Sequence, residues 1–124
     1  MDKIKVAVIG CGTIANAAHI PCYMNNSDVE IKYFCDIIPE RAEAAAKKYG
    51  TPDAKVYTDY KELLKDESIE VVHVLTPNRE HAEITVAALY AGKHVMCEKP
   101  MAKTAEGARQ MCAAAKATGK KLTI

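Results

Sequence analysis

Neither sign of charge dominates this chain of 124 residues: 17 lysines and arginines stand against 16 aspartates and glutamates, for a formal net charge of +1. Nucleic-acid binding normally needs a basic patch or stripe, so no nucleic-acid partner is expected. No apolar run approaches the roughly 18 residues of a membrane helix, which argues against a membrane partner. The residues from Met1 to Lys5 lead into a strand-like run with no secretory apolar region and no small-residue cleavage site. Paired cysteines are missing too. Cys11, Cys22, Cys35, Cys97 and Cys112 include no Cys-x-x-Cys, which supports neither a disulfide framework nor a zinc site. Free thiols point to a reducing compartment, and the expected location is cytoplasmic. His19, His73, His81 and His94 offer no His-x-x-x-His spacing, so no metal is expected. Internal repeats, low-complexity stretches and linkers are also absent. What remains is 49% hydrophobic and 27% charged, ordinary for a single globular domain. A chain of this size buries about two-thirds of its unfolded surface.

Short β-branched runs alternate with longer alanine-rich segments. Strands are predicted at 4–9, 29–35, 55–57, 71–75 and 94–97, and Leu122-Thr123-Ile124 begins a sixth. Residues 6–9 and 71–75 are nearly continuous apolar runs, as in strands covered on both faces. Between them, Ala42, Ala45, Ala46 and Tyr49 fall at i, i+3, i+4 and i+7. So do Ile84, Ala87, Ala88 and Ala91, and Ala108, Met111, Cys112 and Ala115. These are three amphipathic helices. Gly50, Gly92 and Gly119 follow the stripes, where a left-handed C-cap is expected. Pro39 suits a first helical turn, and Pro21 should break or kink the first helix near His19. Alternating strands and helices with right-handed crossovers give an α/β fold with a doubly wound parallel sheet.

After the first strand comes Gly10-Cys11-Gly12-Thr13-Ile14-Ala15, a G-x-G-x-x-A. Gly10 permits the tight turn, Gly12 lets the backbone approach a pyrophosphate, and Ala15 lets the helix pack closely on the strand. The helix starting near Thr13 and Ile14 offers unpaired N–H groups to phosphates. Any tight strand-to-helix turn would select two glycines. Here, however, Asp36 ends the second strand, close to the roughly 20-residue spacing of an acid that binds the adenosine ribose. Its carboxylate can accept from ribose hydroxyls and repels a 2′-phosphate, which favours NAD over NADP. Asp36 also suits a plain turn. Arg41 is the one nearby arginine and joins the cofactor-binding candidates, although the helix begun by Pro39 could carry it away.

Two further loops leave the predicted carboxyl edge, where open α/β sheets bind ligands. In Thr76-Pro77-Asn78-Arg79-Glu80-His81, Asn78 is a natural N-cap, and His81 reads equally well as an exposed helix-start histidine. In Glu98-Lys99-Pro100, Lys99 could hold a substrate hydroxyl and move a proton. The bland alternative is a surface Glu–Lys pair before a proline.

Taken together, residues 7–15, His19, Pro21, Asp36, Thr76-Pro77-Asn78 with His81, Gly92-Lys93-His94-Val95 and Glu98-Lys99-Pro100 resemble the cofactor-binding half of the glucose–fructose oxidoreductase and inositol dehydrogenase family. The resemblance covers nearly the whole chain. It implies a Rossmann sheet in the order 3-2-1-4-5-6 and NAD(P)-dependent oxidation or reduction of a sugar, cyclitol or related polyol hydroxyl. It also implies Lys99 as the catalytic residue beside nicotinamide and substrate, with Thr76, Pro77, Asn78, His81 and Glu98 at the cofactor and Lys99–Pro100 as a cis peptide. Family members continue into a second α/β domain that carries most of the substrate pocket and a catalytic histidine, which none of the four histidines here can replace. Residues 1–124 are therefore expected to be a dinucleotide-binding domain with its sixth strand at the chain end, binding cofactor with little or no turnover. A homo-oligomer is expected. The alternative is a dinucleotide-sensing regulatory module without catalysis.

Overall fold

The computed structural model describes residues 2–124, which form one six-stranded parallel sheet in the order β3-β2-β1-β4-β5-β6. The strands are β1 (Ile4–Ile9), β2 (Val29–Cys35), β3 (Lys55–Tyr57), β4 (Val71–Val74), β5 (His94–Cys97) and β6 (Leu122–Thr123). The principal helices are α2 (Pro39–Tyr49), α4 (His81–Tyr90) and α5 (Ala105–Thr118), with short helices α1 (Ile20–Tyr23) and α3 (Tyr60–Leu63). The sheet order and the parallel pairing agree with the expectation from sequence.

Alternation along the strands divides the core between two faces. Ala7, Ile9, Val72, Val74 and Val95 join Ile84, Ala88, Leu89, Met111 and Ala114 on the face of α4 and α5. Val6, Val8, Ile31 and Phe34 join Ala15, Ile20, Ala42 and Ala45 on the face of α1 and α2. In β2 the period of two is interrupted: Val6 pairs with Ile31, but Ala7 pairs with Tyr33. This bulge at Lys32 reverses the alternation. Ile31 and Tyr33 thus lie on opposite faces, and Phe34, fully buried, joins Ile31.

Local signals explain most helix ends. Pro39 occupies the first turn of α2, where its missing N–H costs nothing. The Thr104 side chain accepts from the Gly107 N–H and caps α5, and Asp59 accepts from Lys61 N–H to cap α3. Pro21 acts as expected on the first helix, which is wound as a π-turn over Ala15–His19 before resuming as α1, with Ile20 N–H donating to Ala15 O. The Lys99–Pro100 peptide is cis, also as expected.

Three local expectations need correction. Gly119 and Gly92 have positive φ, but Gly50, at φ −77° and ψ 164°, is extended. Its requirement is steric: a Cβ there would lie 2.6 Å from Ala46 O, 2.7 Å from Ala54 Cβ and 2.9 Å from a Phe34 ring carbon. Asn78 caps nothing. It opens a 3-10 turn, Asn78–Glu80, that leads into α4 without a side-chain cap. Cys112 is exposed, and Met111 and Ala114 form the buried stripe of α5 instead.

An ordinary glycine at negative φ gains about 0.4–1 kcal/mol of stability on replacement by alanine. At Gly50 overpacking dominates, and Gly50→Ala should instead lose roughly 1–3 kcal/mol in urea denaturation.

Candidate functional site: a cleft at the carboxyl edge of the sheet

The strand ladders continue one residue past the strands at the carboxyl edge. Gly10 N–H donates to Cys35 O (2.8 Å), Asp36 N–H to Tyr57 O (3.1 Å), Leu75 N–H to Ile9 O (2.8 Å) and Glu98 N–H to Val74 O (3.0 Å). Each loop therefore leaves the sheet with its first residue fixed. Gly10 has φ +98°, and a Cβ on it would lie 2.7 Å from Leu75 C and 2.8 Å from Leu75 O. Only glycine permits both the conformation and this backbone contact.

A cleft of about 620 Å³ opens above these loops. Of the residues singled out from sequence, Gly10, Gly12, Thr13, Ile14, Asp36, Arg41, Thr76 and Pro77 line it. Asp36 is 9% exposed. Its Oδ2 accepts from Cys11 N–H and its Oδ1 from Ile38 N–H, each at 2.9 Å. These bonds fix the carboxylate yet leave lone pairs for further donors. Gly12 forms an open cradle, where an added Cβ would meet nothing nearer than Arg41 Nη1 at 3.8 Å. Arg41 thus faces the glycine turn rather than being carried away by α2. Thr76 Oγ1 is buried without a partner, and such a group gains from a ligand that supplies one. An open glycine cradle, a fixed carboxylate and an unpaired hydroxyl fit a dinucleotide.

The other candidates lie outside this lining. Ala15 is fully buried beneath the turn, the packing position that its small size suits. Asn78 and Lys99 are exposed beyond the cleft. His81 requires a correction: neither exposed nor at the cleft, it is fully buried. Its Nδ1 lies 2.7 Å from Pro100 O and its Nε2 2.8 Å from Thr76 O, so the ring sits between two loops with both nitrogens turned to backbone. Glu98 turns from the cleft to His19, whose Nε2–H donates to Oε2 at 2.5 Å.

Sequence reasoning missed one wall of the cleft. Thr58, Asp59, Tyr60 and Lys61 follow β3, and Arg79, Glu80 and Glu83 start the α4 side. The carboxyl-edge rule could have found the first group, but a three-residue strand gave it little weight. Ile37, 81% exposed directly after Asp36, adds an apolar side chain to the lining.

On the α1 face, Tyr23 O–H donates to His73 Nδ1 at 2.7 Å, and the His73 ring meets His19 edge-on with centroids 4.7 Å apart. Burial lowers the His73 pKa from 6.5 to about 4, with the neighbouring His19 adding to the shift and Glu98 opposing it. Burial pushes the Tyr23 phenol up to about 12. The proton of that bond therefore stays on tyrosine.

The oxidoreductase family with an NAD-binding Rossmann fold matches residues 4–124. The chain belongs to this family. D-glucoside 3-dehydrogenase from Escherichia coli is 44% identical over 121 residues, covering 98% of this chain and 34% of that protein. Inositol 2-dehydrogenase from Salmonella typhimurium is 40% identical over 120 residues, covering 96% and 35%. The chain thus spans about a third of the length of these curated relatives. Among solved structures, a 3-ketoreductase from Actinomadura kijaniata in complex with NADP and TDP-benzene superposes with a TM-score of 0.89 at 30% identity, covering 98% of this chain and 36% of that one. A dehydrogenase from Bordetella pertussis in complex with NADH and UDP-GlcNAcA gives 0.88 at 28% identity, covering 97% and 36%. These two neighbours hold NADP and NADH respectively. No helix among the described residues is long and apolar enough to cross a membrane.

The neutral form of His73 is the one the fold holds. Between pH 6.5 and about 4 the unfolded chain takes up a proton there that the folded chain does not, so stability falls as pH drops through that window. The loss from this side chain should approach about 3 kcal/mol. Urea unfolding at pH 7 and pH 4.5 should show a smaller acid loss in His73→Gln than in the native chain.

Proposed function

We propose that this chain is the cofactor-binding part of an oxidoreductase that moves a hydride between nicotinamide and a hydroxyl of a sugar, cyclitol or related polyol, and that it prefers NAD to NADP. The observation that carries the cofactor preference is the Asp36 carboxylate. Fixed by two backbone N–H groups beside the glycine turn, it favours ribose hydroxyls and repels a 2′-phosphate. The next residue is Ile37 rather than a cation. Arg41 lies against Gly12, where a guanidinium suits the pyrophosphate.

In this reading, Gly10, Gly12, Thr13 and Ile14 hold the phosphates, Asp36 the adenosine ribose, and Thr76 and Pro77 the nicotinamide side. Bound nicotinamide supplies the hydride donor or acceptor. Lys99 is the proposed proton carrier, exposed at the carboxyl end of β5 where a substrate hydroxyl can reach it. The sugar and inositol dehydrogenases among the relatives support the substrate class. Because those proteins are about three times longer, the 124 residues alone are proposed to bind cofactor without polyol turnover. Self-association is proposed through the edge of the sheet at β6, where unpaired strand groups favour pairing with another chain.

By calorimetry NADH should bind this chain more tightly than NADPH. Asp36→Ala should weaken NADH by about 1.5–3 kcal/mol, the range for hydrogen bonds to a charged group, and narrow the difference. Equal affinities for the two cofactors in the native chain would refute the preference.

Gly12→Val separates folding from binding. The open space at Gly12 predicts a native circular dichroism spectrum, while the added side chain fills the phosphate cradle and NADH binding is lost.

A further inference from the structure

The Glu98-Lys99-Pro100 turn is gripped from both faces of the sheet. On the α1 face, His19 Nε2–H donates to Glu98 Oε2, the carboxylate of the residue directly before Lys99. His19 is itself backed by the buried His73 ring, which Tyr23 holds through its hydroxyl. His19 and Tyr23 stand four residues apart on the first helix, so both reach β4 from one helix face. On the α4 face, His81 lies within hydrogen-bond reach of Pro100 O, directly after Lys99, and of Thr76 O in the neighbouring loop. Lys99 thus occupies the one residue between two anchored neighbours, and its side chain is exposed.

A flexible lysine on an unrestrained loop samples many positions, and proton transfer requires a group held within hydrogen-bond reach of its partner. The ring contacts of both histidines are made within the protein: His19 meets Glu98 and His73, and His81 lies between Thr76 O and Pro100 O. We infer that His19 and His81 are positioning residues that fix the Lys99 turn from opposite faces of the sheet and tie it to the Thr76 loop. The network Tyr23–His73–His19–Glu98 is then the support of one grip, and the Thr76–His81–Pro100 bridge is the other. This rests on the reading that Lys99 borders the nicotinamide.

The test uses the 124-residue chain with its lysines reductively methylated with ¹³C, the Lys99 signal being identified by its loss in Lys99→Arg. NAD⁺ and ADP-ribose, which lacks the nicotinamide, are the two probes. In the native chain NAD⁺ should shift the Lys99 signal and ADP-ribose should not. His19→Ala should bind ADP-ribose within about threefold of the native chain, since its contacts are to Glu98 and His73; His81→Ala, which frees the Thr76 loop beside the glycine turn, is compared at saturating ADP-ribose and NAD⁺. In both, the NAD⁺-induced shift of Lys99 should be lost. His19→Gln, whose amide can still donate to Glu98, should restore it, which a general loosening of the fold would not allow. If His81→Ala, emptied at a fully buried position, does not fold, the His19 pair decides alone, since that side chain is 30% exposed. A shift of native size in the alanine variants overturns the inference while leaving the site reading in place. A Lys99 signal in the native chain that NAD⁺ does not move overturns the site reading and the inference with it.

Discussion

The parallel ladder at the carboxyl edge governs this molecule. Four backbone N–H groups, of Gly10, Asp36, Leu75 and Glu98, carry the strand hydrogen bonds one residue beyond the regular strands. They convert four loop origins into extensions of a rigid sheet. Gly10 then brings the first turn against the Leu75 backbone so closely that no side chain fits between them. The glycine turn and the Thr76 loop are therefore positioned by each other. A site built on strand ends in this way gains precision without regular structure of its own.

Two buried polar side chains complete the loops by reaching backbone groups. Asp36 ties the glycine turn to the start of the Pro39 helix through Cys11 N–H and Ile38 N–H. His81 lies between Thr76 O and Pro100 O. Both side chains are buried, where an unpaired polar group is costly. Asp36 accepts from both of its N–H partners, and His81 turns each ring nitrogen to a carbonyl, in the same contacts that set the loop geometry. Specificity for the loop arrangement follows from the cost of leaving any of these groups unpaired.

Much of this arrangement is legible in the sequence because its causes are local. The apolar runs at Val6–Ile9 and Val71–Val74 mark strands covered on both faces, and the G-x-G-x-x-A turn with Asp36 locates the cleft. What stayed hidden depends on contacts distant in the chain. Gly50 resembles a left-handed cap, and only the approach of Ala54 and Phe34 reveals a steric requirement. The bulge at Lys32 does not interrupt the alternation of apolar and charged residues from Val29 to Tyr33, yet it decides which face receives Phe34. His81 resembles any polar residue at a helix start until Pro100, far along the chain, supplies its second carbonyl. Asn78 has the right chemistry for an N-cap, but a 3-10 turn intervenes before the helix.

The thiol inside the glycine turn has a consequence for the chemistry of the cleft. Burial, reinforced by the charge of Asp36, pushes Cys11 up to about 12, and Cys35 beside it is raised to about 12 for the same reasons. A thiolate at either position would set a negative charge against an incoming diphosphate and offer a nucleophile to any electrophile that entered. Held as neutral thiols, both behave as small apolar side chains. Alkylating agents and oxidants meet Cys22 and Cys112 first, on the outer surfaces of α1 and α5, and neither of these lines the cleft. Reactive sulfur is thus confined to the periphery, and the phosphate turn is left chemically silent.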